Sequence, residues 1–149
     1  MKMLKWLSVA DRYAKADLDA RLAPLGINSS QHMYLLKICN HPGILQDALQ
    51  ACFYVHPSNV VRTVAALEKK GFLVRVPYEQ DKRTWKLYPT EKAQAIAQAI
   101  QTACEQTEAS LTQGWSQEER TALANALVRV GKQMARQLDG ERVEDEFDE

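Results

Sequence analysis

The stretch "PSNVVRTVAALEKKGFLVRVPYEQDKRTWKLYPT", Pro57 to Thr90, changes its hydrophobic period halfway along, and that change decides the fold. In the first half Val60, Val64 and Leu67 fall at helical spacing. A proline stands at the start and Lys69-Lys70-Gly71 at the end, the residue types that open and close an α-helix. After Gly71 the period drops to two: Phe72, Val74 and Val76 alternate with Leu73, Arg75 and Pro77, and "TWKLYP" alternates likewise. These runs read as two strands of one hairpin. The connection "EQDKR" contains no Asn-Gly or Asp-Gly pair, so a longer and mobile tip is expected. Trp85 and Tyr88 should lie on opposite hairpin faces, one of them packing on the domain.

Upstream the signals are helical. Leu4, Leu7, Ala14, Leu18 and Leu22 recur at three-to-four spacing or its multiples over Met3 to Leu22, and "LAPLGIN" closes that helix with Pro24 and Gly26. Asn28 and Gln31 form a capping-box-like start for a second, buried helix, "SSQHMYLLKICN". A third, "LQDALQAC", precedes the fourth at Pro57 by a tight link, which suggests a helix-turn-helix. Downstream, "TEKAQAIAQAIQTACEQTEASLTQ" places Ala93, Ile96 or Ala97, Ile100, Cys104 and Leu111 on one side. The last helix opens with Ser116 and Glu119 as a capping box and aligns Leu123, Leu127, Val130, Met134 and Leu138. One small domain cannot easily bury both of these stripes, so helices at the two chain ends are expected to form a homodimer interface.

The fold class that follows is mainly α with a small β-hairpin wing. A single unit is expected over residues 1–138, with a winged lobe over about 28–90 and dimerisation helices over about 3–22 and 91–138. Residues 139–149, "DGERVEDEFDE", hold seven acids and one arginine, a charge of −6, and are expected to be a disordered acidic tail. The formal net charge of zero conceals this: residues 1–138 then carry +6, and residues 57–92 have eight Lys or Arg against four acids. Basic charge is concentrated on the helix and hairpin where the period changes.

Composition excludes several classes. With 46% hydrophobic residues and no apolar run near the roughly eighteen a membrane span needs, a soluble protein without membrane partners is expected. No signal peptide is read at the N-terminus, and three widely spaced cysteines fit reduced thiols in the cytoplasm. No phosphate-binding glycine loop, nucleophile elbow or paired-carboxylate set appears, so an enzyme is set aside and no cofactor is expected. Cys39, Cys52, His41 and His56 lack a four-ligand zinc spacing, so no metal is expected either.

With these elements in this order, the chain resembles the MarR family of winged helix-turn-helix transcriptional regulators. "SNVVRTVAALEKKG", Ser58 to Gly71, is similar to the family pattern S-x-V-T-R-x-[VIL]-x-x-L-E-x-x-G, with Val61 in place of the usual Thr. Asp81, Arg83, Leu87 and Thr90 match the wing pattern D-x-R-x-x-x-L-x-L-T, with Pro89 for the second Leu. Gln31 looks like the glutamine that opens the family's second helix, whereas Gln50 stands where alanine is common. The resemblance covers about residues 3–138.

The resemblance implies a homodimeric repressor that binds a palindromic site in double-stranded DNA. On the fourth helix Ser58, Asn59, Arg62 and Thr63 are candidate contacts, read as polar residues opposite the apolar stripe, and Pro57 is a candidate contact to backbone or a thymine methyl. Arg62 is the first choice for a base, since a guanidinium donates two hydrogen bonds to guanine. Arg83 at the wing tip is the candidate for the minor groove, where negative potential favours a guanidinium. Asp81 is expected to pair with a wing arginine and hold its direction, and Lys82 and Lys86 to add charge toward phosphate. The family also implies a small aromatic or anionic effector, for which Tyr13, His32, Tyr34, Leu35 and Cys39 are candidate pocket residues. An aromatic or histidine on an apolar helix face serves equally as core, so both roles stand open for these five. Two other readings stand beside the regulator: a protein-interaction module using the acidic tail, and a thiol-based redox sensor, although the first helix has no cysteine.

Overall fold

The computed structural model describes residues 1–140. Helix α1 (Met3–Leu22) ends in a single 3-10 turn, Ala23–Leu25, that carries Pro24 and is closed by Gly26 at φ 81°. Helix α2 (His32–Asn40), strand β1 (Ile44–Leu45), α3 (Gln46–Phe53) and α4 (Pro57–Lys69) follow. Strands β2 (Leu73–Pro77) and β3 (Trp85–Pro89) then lead to the long helices α5 (Glu91–Leu111) and α6 (Gln117–Asp139). Each expected helix and both strands of the hairpin are present. The expected tail lies outside the described residues from residue 141 onward, and α6 runs one residue past the expected limit, through Asp139.

The sheet has three strands, not two, in the antiparallel order β1-β3-β2. Ile44 pairs with Leu87 and Leu45 with Lys86, so the segment ahead of α3 closes the free side of the hairpin. On the other side Arg75 pairs with Leu87 and Pro77 with Trp85. Pro89 is tolerated in the central strand because β1 has already ended, and the ladder resumes where the Thr90 amide donates to the Phe72 carbonyl at 3.0 Å. The hairpin tip is long, as expected, and it is hydrogen-bonded into two successive turns. The Asp81 amide donates to the Tyr78 carbonyl and the Thr84 amide to the Asp81 carbonyl, both at 3.2 Å.

The core gathers Leu22, Leu35, Ile38, Leu49, Val60, Val64, Leu67, Phe72, Leu73, Leu87 and Ile100 beneath α4 and the sheet. Its pivot is the end of α4. Gly71 adopts φ +80°, the Phe72 amide donates to the Leu67 carbonyl at 3.0 Å, and the Gly71 amide donates to the Glu68 carbonyl at 2.9 Å. This is a Schellman motif, whose accompanying apolar contact is supplied by the buried Phe72 and Leu67. The turn aims the chain from α4 directly into β2. A Cβ at Gly71 would meet only Lys92 Cδ at 4.0 Å, so Gly71→Ala has room but not the backbone conformation. It is expected to lower stability by about 1–2 kcal/mol, the cost of a left-handed residue with a side chain, as measured by urea denaturation.

Two polar ties brace the fold, the first between the long helices α1 and α5. Asp17 accepts from Arg21 Nε at 2.9 Å and from Thr107 Oγ1 at 2.8 Å, while Arg21 also donates to Gln106 and Ser110 of α5. These bonds, Arg21 first, hold the Asp17 carboxyl below the usual carboxylate range. Lys70 Nζ donates to the Gly26 carbonyl at 2.9 Å and to Gln31 Oε1 at 3.0 Å, tying α4 to the entry of α2.

The chain ends differ from this body. In α6 the capping box is complete: Ser116 Oγ accepts from the Glu119 amide at 3.1 Å, and Glu119 Oε2 from the Ser116 amide at 2.7 Å. Yet no residue of α6 is buried, and Leu127, Val130, Met134 and Leu138 are exposed, as are Met3, Leu4, Trp6 and Leu7 of α1.

Candidate nucleic-acid interface

Helix α4 turns Val60, Val64 and Leu67 inward and leaves Pro57, Ser58, Val61, Arg62, Ala65 and Lys69 exposed. Of the polar residues expected opposite the buried stripe, Ser58 and Arg62 are there. Thr63 is half-buried, because it lies one turn from the fully buried Leu67 on the same flank, and Asn59 is half-buried a turn before it. Asn59 does not face outward alone: its Oδ1 accepts from Arg62 Nη2, so it can hold the guanidinium that the helix presents. The N-terminus is organised by a residue that the sequence offered only as a metal ligand. His56 is the N-cap, its Nδ1 accepting from the Ser58 amide at 3.2 Å and lying 2.7 Å from Ser58 Oγ. Histidine is not among the usual N-cap residues, and no spacing rule would have found it.

A side-chain pair ties the wing to this helix. Arg75 of β2 pairs with Glu68 of α4 at 3.0 Å, and its guanidinium lies 4.8 Å from the centroid of the Trp85 ring. Trp85 packs on the core while Tyr88 lies on the opposite face. At the tip Arg83 is almost fully exposed, its side chain 91% open. Asp81 Oδ1 accepts from both the Arg83 amide and Arg83 Nε at 3.1 Å, and Oδ2 accepts from Nη2 at 3.4 Å. The expected pairing of Asp81 with a wing arginine is therefore present. Lys82 is exposed, and Lys86 Nζ lies 5.4 Å from the centroid of the Tyr78 ring.

Arg83 holds the Asp81 carboxyl below the usual carboxylate range. The pairing thus contributes above the carboxylate range of an unpaired Asp and is lost only as pH falls through the lowered value, so it is intact at neutral pH. By NMR titration the Asp81 carboxyl is expected to protonate at a lower pH in the wild type than in Arg83→Ala. Equal midpoints would show that the pair does not persist in solution.

The five candidate effector residues are spread out. Leu35 and Tyr34 are core, Tyr34 packing against Phe53 with ring centroids 5.2 Å apart. Tyr13 is exposed on α1, with the Arg12 guanidinium 5.8 Å from its ring centroid. His32 is half-buried with Nδ1 2.6 Å from the Ser29 carbonyl, and burial lowers its pKa. Burial likewise raises the Cys39 thiol, and it raises Cys104 with added effect from Glu108. Of the five, Tyr13, His32 and Cys39 have surface to offer a ligand. A hollow of about 540 Å³ lies instead beside the start of α4, lined by Gln50, Tyr54, Val55, His56, Pro57 and Asp139. Among the described residues no set of three or more His, Cys, Asp or Glu is placed to hold a metal, and no helix is long and apolar enough to cross a membrane.

A helix pair crossing a tight turn, a following hairpin whose tip presents an aimed arginine, and a reading helix with an outward arginine define a winged helix-turn-helix protein. The MarR family model matches residues 27–85. The chain is 31% identical over 112 residues, 75% of each chain, to the uncharacterised HTH-type transcriptional regulator YybA of Bacillus subtilis. It is similar to the crystal structure of the transcriptional regulator SlyA at a TM-score of 0.83 and 25% identity, over 92% of this chain and 96% of that one. A MarR family transcriptional regulator from Listeria monocytogenes, complexed with 26mer DNA, shares the fold at a TM-score of 0.82 and 24% identity, over 96% and 98% of the two chains. The protein belongs to the MarR family.

Proposed function

We propose that this protein is a homodimeric transcriptional regulator, acting as a repressor, that binds a palindromic site in duplex DNA through α4 and the wing. One observation carries the reading: an exposed Arg62 held by Asn59 and an exposed Arg83 held by Asp81 stand on two elements braced to each other through Glu68 and Arg75. Guanidinium groups fixed in advance lose less freedom when they meet bases or phosphate. In this reading Arg62 donates to a guanine edge in the major groove, and Arg83 enters the flanking minor groove. Pro57, Ser58, Asn59 and Thr63 line the approach of α4, and Lys82 and Lys86 add phosphate charge beside Asp81. The known complex of a family member with DNA supports it.

The dimer is supported by the apolar surface at the chain ends. Trp6 and Leu7 of α1 and Leu127, Val130 and Met134 of α6 are large apolar side chains left about half exposed or more, and the three of α6 recur at helical spacing on one face. A second copy covers both faces by symmetry and sets the two α4 helices about one DNA turn, roughly 34 Å, apart. A small aromatic or anionic effector that shifts this spacing would regulate binding, and Tyr13, His32 and Cys39 are the members of the expected pocket open to it. Sedimentation velocity combined with fluorescence anisotropy tests the proposal. The reading expects a dimer and a specific, salt-sensitive complex with a fragment of the promoter it controls. A monomer, or equal affinity for every fragment, would refute it.

A further inference from the structure

Outside its buried stripe, α4 carries two different exposed strips. One is polar, formed by Ser58, Arg62 and Lys69, and the other is apolar, formed by Pro57, Val61 and Ala65 at successive i, i+4 positions. Val61 is the large side chain of the apolar strip and is 54% exposed. It adds nothing to the core, and its branched Cβ makes it a poorer helix former than alanine. It also stands where the family motif has threonine. The two side chains have nearly the same shape, so the difference is a methyl group in place of a hydroxyl, with the loss of a donor and an acceptor. Such a surface is unsuited to phosphate oxygens and polar base edges, which would lose hydration against it without a hydrogen bond in return. Among base edges in the major groove, one group suits it: the C5 methyl of thymine.

We infer that Val61, flanked by Pro57 and Ala65, reads a thymine methyl in the major groove beside the base taken by Arg62. The inference rests on the proposed role of α4 and deepens it, since it specifies one base of the operator half-site. Val61 and Arg62 are adjacent in sequence, so their side chains diverge by about 100° around the helix and address neighbouring positions along the groove. The half-site should therefore contain a thymine next to the guanine read by Arg62.

Thymine-by-uracil replacement tests this without disturbing any hydrogen-bonding group. Duplexes selected by the wild-type protein from a random pool are remade with each thymine in turn replaced by deoxyuridine, and affinities are measured by anisotropy. One position per half-site is expected to lose roughly fourfold in affinity, the worth of one buried methyl-sized group. At that position Val61→Ala should bind the thymine and uracil duplexes alike. The variant leaves the core untouched and improves helix propensity, and a thermal melt confirms its fold. Tolerance of uracil at every position by an otherwise specific wild type would overturn the role of Val61 and leave that of α4 standing. A methyl effect that persists unchanged in Val61→Ala would overturn it as well. If no duplex is selected at all, the proposed role of α4 fails and the inference with it.

Discussion

Replacing Arg62 and Arg83 together with alanine is expected to weaken specific duplex binding by about hundredfold or more, with the fold unchanged. The size follows from what each contact is worth: a good bidentate arginine–guanine pair discriminates by about 1–3 kcal/mol, and a dimer presents each arginine twice. The cost falls on binding alone because neither side chain supports the core. Among the described residues Arg62 is exposed and bonded only to its neighbour Asn59 one turn away, and Arg83 is bonded only to Asp81 within its own turn. Surface changes of this kind ordinarily move stability by less than about 0.5 kcal/mol. Anisotropy against a selected duplex, with a thermal melt of the free protein, separates the two effects. Equal binding by wild type and double variant would remove both α4 and the wing from the interface.

Phe72→Ala should instead act on the fold, lowering stability by about 3–5 kcal/mol. Phe72 is 1% exposed and lies where three elements meet. Its amide closes the end of α4, its carbonyl receives the Thr90 amide at the start of α5, and its ring lies under the Lys92 ammonium at 4.4 Å and beside Gly26. Removing the ring leaves a cavity whose walls are anchored by backbone hydrogen bonds and cannot readily close. Against a typical total of about 5–15 kcal/mol, such a loss is a large fraction. Urea denaturation at fixed protein concentration measures it, since the proposed dimer would make apparent stability depend on concentration. A loss under about 1 kcal/mol would mean that the site relaxes and that Phe72 is not the pivot.

The pivot was also the most legible part of the sequence. The change from helical to alternating period at Gly71 is a local signal, and it marks α4, the hairpin and their order. The capping box at Ser116-Glu119 was legible for the same reason, because capping acts over three residues. What escaped was short or distant. Strand β1 has two residues, too few to show a period, and exists only because β3 lies beside it. The Lys70 bond to Gln31 spans 39 positions, so the reason for a glutamine at that place was invisible in the chain. Thr63 looked outward on a three-residue stripe and is half-buried because one flank of α4 is covered by neighbours that sequence alone does not locate. Asp81 with Arg83 was the exception among site residues, a pairing between positions two apart in one turn, and it was read correctly.

In the proposed complex two copies of α4 and the wing read one duplex by two-fold symmetry. Selection of duplexes from a random pool by the purified protein, followed by sequencing, tests it most directly. The expected result is an enriched inverted repeat whose half-site centres lie about one helical turn, roughly 10 base pairs, apart, with a guanine and a thymine adjacent in each half. Enrichment of no sequence, or of a single half-site without its mirror image, would contradict it.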